Sequence, residues 1–402
     1  MHTFRSLFSA ALFAASLLSA GVSPVGAQEP ASRAEEAAEA QKKKAQTLSP
    51  PKTGLVERKL LEVERAGGFG VARGVFVTFG DIKRGSGPSI GPAYGKTFDN
   101  GVVFETKAVF SINRAKVAQV SLHSPALAGH RLRFKGRARW QDVPEVSFHG
   151  LTPGLAEPEA TYSETMTEVS AAAIMQPVPL LRFDAGVGIE KFETGISTDP
   201  AQAAAALFAG APGVGADPRY VHSQASAAVD SRDSEGYTRR GTLLRATVHD
   251  YREQTSGPNS FQRVDGAAEQ YVPILRGNWV LYLGLRGSTT TSGPRDTVPY
   301  FLMPDLGGHD LRGYDNYRFR NRHSLMLTAE YRWYAQEFLD GAIFYDAGKA
   351  VSRRTDLDFT RLKSSYGAGV RLHGPRATFL RLEVARSREG TRLIMAFSPV
   401  GG

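Results

Sequence analysis

The sequence predicts an all-β fold, a transmembrane antiparallel β-barrel of about sixteen strands. Three observations lead there. From about residue 67 to the C-terminus, segments of eight to thirteen residues alternate apolar with polar side chains and are separated by turn residues. The N-terminus carries the pattern of an export signal. Beyond residue 27 no apolar run is long enough to span a bilayer as a helix, so a crossing must be made by strands of only about ten residues each.

Taken in order, Arg5 supplies a basic start and residues 7–18 an apolar core. Val25-Gly26-Ala27 then forms a small-x-small exit before Gln28. Residues 1–27 therefore read as a secretory signal peptide. Residues 28–66 read as a charged linker with Lys42-Lys43-Lys44 and Pro50-Pro51. It ends in a short amphipathic segment, residues 55–66, either a helix at one mouth of the barrel or a surface helix. Residues 67–402 are the barrel.

Strands are expected near residues 72–81, 88–97, 101–112, 115–124, 130–140, 160–174, 180–191 and 220–230. Eight more are expected near 241–251, 261–274, 277–289, 323–334, 339–350, 364–373, 377–386 and 391–398. An even number places both ends of the barrel on the periplasmic side. Trp279, Leu281, Leu283 and Leu285 share one face, as do Leu325, Leu327, Ala329, Tyr331 and Trp333. Leu380, Leu382 and Val384 face outward while Arg381 and Glu383 face inward. Trp333 and Tyr334 suit an aromatic girdle. Residues 335–339 and 373–376 are short turns and should be periplasmic; residues 288–322 form a long loop and should be extracellular.

The chain has 402 residues, no Cys and a formal charge of +9. A Cys-free chain has no disulfide framework and no Cys-based metal site. A basic balance can serve nucleic acid, acidic lipid or a charged lumen. No nucleic-acid-binding signature is present, and an exported chain meets no nucleic acid, so the arginines are assigned to a solvated lumen. The nine His residues are scattered singly without ligand spacing. No phosphate-binding loop is visible. No cofactor, metal ligand or catalytic residue is therefore expected. Gly87-Pro88-Ser89-Ile90-Gly91 fits G-x-S-x-G, but a nucleophile elbow needs a strand, a sharp turn and a helix, and here a Pro-rich turn leads to another strand.

Leu311-Arg312-Gly313-Tyr314 lies in the long Gly-rich loop, followed by Ala329-Glu330-Tyr331-Arg332 and Phe344-Tyr345-Asp346-Ala347-Gly348 on strands. Glu330 shares its inward face with Thr328 and Arg332, and Asp346 shares its own with Ala342 and Phe344. On antiparallel neighbours both acids can approach one point, where a planar guanidinium such as Arg312 can serve both. Gly313 permits a tight turn, and Tyr314 can pack on the wall with its hydroxyl in water. The alternative is an ordinary loop arginine beside ordinary lumen charges.

The order and spacing of these motifs resemble the BamA/TamA superfamily of outer-membrane barrels, the bacterial surface antigen family. Leu311 to Tyr314 is similar to that family's sixth extracellular loop motif, [V/L]-R-G-[F/Y]. Residues 365–372 and 378–385 resemble its following strands, and the likeness covers most of residues 68–397. The resemblance implies a Gram-negative outer-membrane barrel whose loop arginine folds into the lumen. Arg312 would then bond Glu330 and Asp346 and hold the loop. It implies contact with outer-membrane lipid and lipopolysaccharide, and outer-membrane or secreted proteins as clients in insertion, secretion or lipid-linked traffic. The closing strand would point Leu393, Met395 and Phe397 outward, beside a seam that in the family is weak and opens sideways. Residues 398–402 after Phe397 depart from the usual ending. The family's periplasmic POTRA domains are expected to be absent, because only about forty linker-like residues precede the first strand. The alternatives are a passive pore or structural barrel without insertase activity, and a barrel-borne lipid hydrolase using Ser89.

Overall fold

The computed structural model describes residues 74–129, 131–151, 159–197, 210–275, 278–374 and 377–397. The expected signal peptide, the linker with its amphipathic segment, and residues 398–402 lie outside the described residues. The strands are β1 (Gly74–Phe79), β2 (Ser89–Thr97), β3 (Val103–Ser111), β4 (Lys116–His123), β5 (Leu132–Phe148) and β6 (Ala160–Val178). β7 (Leu181–Ile196), β8 (Arg219–Asp230), β9 (Gly241–Glu253), β10 (Phe261–Ile274) and β11 (Trp279–Ser292) follow. A long loop then carries a two-residue ladder, β12 (Asp305–Leu306) against β13 (Phe319–Arg320). β14 (His323–Gln336), β15 (Leu339–Val351), β16 (Lys363–His373), β17 (Thr378–Ser387) and β18 (Gly390–Phe397) complete the chain. Leaving out β12 and β13, these form a single sheet of sixteen antiparallel strands in chain order.

The alternation decides which face meets what. Val75, Val169, Ile343 and Leu393 are at least half exposed on the outer wall, where a bilayer would cover them. On the inner face Glu168, His249, Glu330, Asp346, Arg371 and Glu383 are buried. The faces are therefore apolar outside and polar inside, the order of a membrane barrel and not of a soluble sandwich. Pairing of Trp279 with Trp333 and Leu281 with Tyr331 gathers rings at the short-turn end of the barrel, with Trp279 and Tyr331 centroids 5.9 Å apart.

Strand ends follow expectation closely except around β5–β7: β6 and β7 run on to Val178 and Ile196 instead of ending near 174 and 191, and β5 runs on to Phe148 instead of ending near 140. A register shift between Val143 and Val146 absorbs Pro144, which cannot donate to the ladder. The extension survives because its inner face is covered. Val143, Val146 and Phe148 pack with Tyr162, Tyr220, Tyr251 and Phe261, and the β11–β14 loop contributes Val298, Tyr300, Phe301, Met303 and Tyr317. That loop crosses the lumen to reach them.

Among the described residues no ladder joins β1 to β18. The two edges meet through the stacked rings of Phe79 and Phe397, with centroids 6.2 Å apart. Leu393 and Met395 point outward on β18, with Phe397 following on the same face.

Candidate functional site

The tip of the β11–β14 loop hangs from the β12–β13 ladder and descends into the lumen beside β14–β17. Leu311 at the tip is fully buried with Leu306, Tyr314, Phe319, Met326 and Ala350. Gly313 has φ +88°, and a Cβ there would come within 3.2 Å of the Ser365 Cβ. The chain turns at this point and leaves Arg312 aimed at the wall.

The structure brings Arg312, Glu330 and Asp346 together. Arg312 Nε and Nη2 donate to Asp346 Oδ2 and Oδ1 at 2.7 and 2.9 Å, and its backbone N–H donates to the same carboxylate at 3.3 Å. Nη1 donates to Glu330 Oε2 at 3.1 Å and to Glu383 Oε1 at 3.0 Å. The guanidinium also lies over the Phe344 ring, with Cζ 3.4 Å from the centroid. Arg332 donates to Glu330, and Arg371 reaches both Glu330 and Glu383. Three carboxylates thus meet three guanidiniums in a site closed to solvent: Arg312 is 3% exposed, Asp346 0% and Glu383 1%. Burial works against the charge on Arg312, but the hydrogen bonds and charges of Asp346, Glu383 and Glu330 outweigh it and hold its proton more tightly.

Glu383 and Arg371 were not singled out in the sequence as members of this cluster. The inward face of Glu383 was legible there, but its level was not. Glu383 pairs with Gly369, and a Cβ on Gly369 would lie 2.6 Å from Glu383 Cγ. The missing side chain makes room for the carboxylate to lie across the wall. Tyr314 differs in one respect from expectation: it is buried, and its hydroxyl donates to the carbonyl of Ser364 at 3.1 Å.

The same loop touches both edges of the seam. On the β1 side Arg84, from the β1–β2 loop, pairs with Asp305 and Asp310, and Tyr317 Oη donates to the Arg84 carbonyl at 2.8 Å. Lys83 pairs with Glu164, whose charge overcomes burial and raises the lysine pKa. On the β18 side Arg318 Nε donates to both Glu389 oxygens at 2.9 and 3.0 Å, Arg392 pairs with Asp315, and Ser387 Oγ donates to the Gly313 carbonyl at 2.6 Å. Two edges that share no backbone ladder are therefore tied through one loop.

Two of the scattered histidines also meet. His222 Nδ1 lies 2.6 Å from Glu190, His222 Nε2 lies 3.0 Å from His249 Nδ1, and His249 Nε2 lies 3.1 Å from Asp265. The antiparallel register of β8 and β9 makes them diagonal neighbours on the lumen face. No group of three His, Asp or Glu among the described residues is placed to hold a metal ion. Ser89, the centre of the G-x-S-x-G run, opens β2 and is followed by strand and not helix, so the support of a nucleophile elbow is missing there.

Comparison with known proteins adds three findings. A family described as the Omp85 superfamily domain matches residues 109–391. The crystal structure of BamA from Haemophilus ducreyi lacking POTRA domains 1–3 is similar, with a TM-score of 0.60 at 13% identity, over 80% of this chain and 69% of that one. CdiB from Escherichia coli is similar at a TM-score of 0.52 and 10% identity, over 81% of this chain and 60% of that one. No curated protein sequence matches.

Proposed function

The chain belongs to the Omp85 superfamily and is an outer-membrane barrel; on that premise we propose that it inserts or secretes polypeptide at the outer membrane by parting the seam between β1 and β18. The observation that carries the reading is the seam itself. In lipid an unpaired strand edge is costly, and a barrel normally removes every edge by closure. Here β1 and β18 share no ladder among the described residues, and side chains of the β11–β14 loop span the gap instead. An edge held by side chains is released more readily than one held by a run of backbone bonds. Each exposed edge then offers unpaired N–H and C=O groups to an incoming strand. In this reading Arg312, Gly313, Tyr314, Glu330 and Asp346 anchor the loop, and Leu393, Met395 and Phe397 present the closing strand to lipid and lipopolysaccharide. The clients are outer-membrane or secreted proteins.

The natural chain has no Cys, so a single engineered pair tests this cleanly. A Cβ on Gly80 would stand 3.9 Å from Phe397 Cβ, within the span of a disulfide. Gly80 has φ +74°, so cysteine there costs about 1–2 kcal/mol, which the barrel must tolerate. Oxidised Gly80→Cys/Phe397→Cys should fail to restore outer-membrane protein levels or export in a deletion strain, and reduction should recover it. Equal activity in both redox states would exclude seam opening.

A passive pore is the weaker alternative. Tyr300, Phe301 and Tyr317 fill the extracellular half of the lumen against β5–β10.

A further inference from the structure

The ten-residue turn between β8 and β9, residues 231–240, does not stay at its own place on the periplasmic rim. In sheet order β10, β11 and β14 separate β9 from β15. Yet this turn binds β15, β16 and the start of β17. Gly236 forms a parallel bridge with Ala377, and the Thr378 N–H donates to the Gly236 carbonyl at 3.0 Å. The Tyr237 ring stacks on His373 with centroids 3.9 Å apart and planes 10° from parallel. Its hydroxyl donates to Asp340 Oδ2 at 2.7 Å and accepts from Arg239 Nη1 at 2.5 Å. His373 Nε2 lies 3.3 Å from Asp340 Oδ1.

The contacts are inside the barrel. Asp340 shares the inward face of β15 with Ala342, Phe344 and Asp346, and His373 shares that of β16 with Arg371. Asp340 is 3% exposed and His373 4%. A segment that leaves the wall at β8–β9 and enters the lumen at β15–β16 runs as a chord across the mouth. It is also internally built. Asp233 Oδ1 accepts from the N–H groups of Arg239 and Arg240 at 3.0 and 3.4 Å, and Thr238 Oγ1 donates to the Ser234 carbonyl at 2.6 Å. Surface turns usually project away from the sheet they join, and their side chains stay in water. This one places a tyrosine on a buried carboxylate–histidine pair four strands away.

We propose that residues 231–240 are a strap that bars the periplasmic mouth of the lumen, latched by Tyr237 on Asp340 and His373. The strap closes the end opposite the β11–β14 loop and lands on β15 and β17, two of the strands that hold Arg312, and on β16 between them. Polypeptide or solute entering from the periplasm must first lift Tyr237 off this pair. The inference stands on the turn's contacts alone and holds whether or not the seam parts.

The test places one cysteine in the lumen of the full chain. Gln224 is exposed on the lumen face of β8, opposite His249. In Gln224→Cys, a bulky polyethylene-glycol maleimide is applied to broken outer membranes, where both faces are open, and to intact cells, where only the outer face is. The difference in rate is entry through the periplasmic mouth. Adding Tyr237→Ala should raise that difference about tenfold or more, the factor given by ~1.4 kcal/mol of lost closure. Tyr237→Phe keeps the ring on His373 and loses the Asp340 bond and the bond accepted from Arg239, so it should give a smaller rise in a barrel that still folds. Heat-modifiable gel mobility confirms folding of each variant. If folded Tyr237→Phe and the folded Tyr237→Ala both label at the rate of the parent, the strap does not bar the mouth; if only Tyr237→Phe folds, its unchanged rate is enough to overturn the proposal.

Discussion

Arg312 meets Asp346 fork to fork: Nε and Nη2 approach the two carboxylate oxygens at 2.7 and 2.9 Å, with the carboxylate fully buried. A buried ion pair is weak support for stability as a whole, yet removing one partner strands the other charge at a cost of about 3–5 kcal/mol. Arg312→Ala should therefore leave Asp346 uncompensated, loosen the loop tip, and lower the temperature at which the barrel loses its fast-migrating gel form. Arg312→Lys should rescue little, since an ammonium cannot make two parallel bonds to Asp346 while reaching Glu330 and Glu383. Asp346→Asn combined with Arg312→Ala should cost less than the two single changes added together. Full rescue by lysine, or strict additivity, would show that the fork is not what holds the tip.

The loop reaches both seam edges through different residues. Arg318 with Glu389 and Arg392 with Asp315 hold the β18 side, while Tyr317 and Asp310 hold Arg84 on the β1 side. Arg318→Gln/Arg392→Gln should free the β18 edge without touching the Arg312 cluster. The expected outcome is a lower oxidation yield of Gly80→Cys/Phe397→Cys by about threefold to tenfold or more: ~0.7–1.4 kcal/mol is the surface-pair scale, met by the partly exposed Arg392–Asp315 pair and a lower bound for Arg318–Glu389, whose arginine is buried. An unchanged yield would show that these two ion pairs do not hold the edges together.

Much of this was legible in the sequence, and the limits have a physical cause. Alternation fixes a residue's face because successive side chains point oppositely, so the inward sets holding Glu330, Asp346 and Glu383 could be read directly. Alternation does not fix height along the barrel. That depends on register between strands, which is why Glu383 joining Arg312, or His222 meeting His249, could not be placed. The lumen filling was hidden for a different reason. Tyr300, Phe301 and Tyr317 lie in a loop without periodicity, and their partners Tyr220 and Phe261 sit on distant strands. The strap was hidden likewise: residues 231–240 read as a polar turn, and nothing local marks Tyr237 as the partner of Asp340.

His149, just beyond β5, is 4% exposed, and burial pushes its imidazole below the ordinary value of 6.5, with Glu159 opposing and Arg318 adding to the shift. A histidine whose folded pKa is depressed binds its proton less readily in the fold than in the unfolded chain. Below 6.5 the unfolded state therefore carries more protons, and stability falls as pH drops toward the folded value. The unfolding temperature should decline between about pH 7 and pH 5, and His149→Asn should flatten that part of the decline. An identical slope in His149→Asn would remove this residue from the account.

Arg320 poses the sharpest energetic question in the lumen. It is 1% exposed, and no carboxylate pairs with it among the described residues. Its guanidinium instead faces the rings of Tyr317, Phe148 and Tyr162 at 5.0, 5.7 and 6.0 Å and donates to Tyr162 Oη at 3.3 Å. A cation–π contact returns about 2 kcal/mol or more when desolvated, and these three lie at the long end of the range, while burying a charge costs several. Stability alone would then favour an apolar side chain of similar length. Arg320→Met should leave the unfolding temperature unchanged or raise it, whereas Arg320→Ala should lower it by opening a cavity among the rings, at about 2–5 kcal/mol. If Arg320→Met keeps stability but loses the complementing activity of the natural chain, the charge is retained for what the loop does and not for how firmly it packs. A large loss of stability in Arg320→Met would instead make the aromatic cage a structural cation site in its own right.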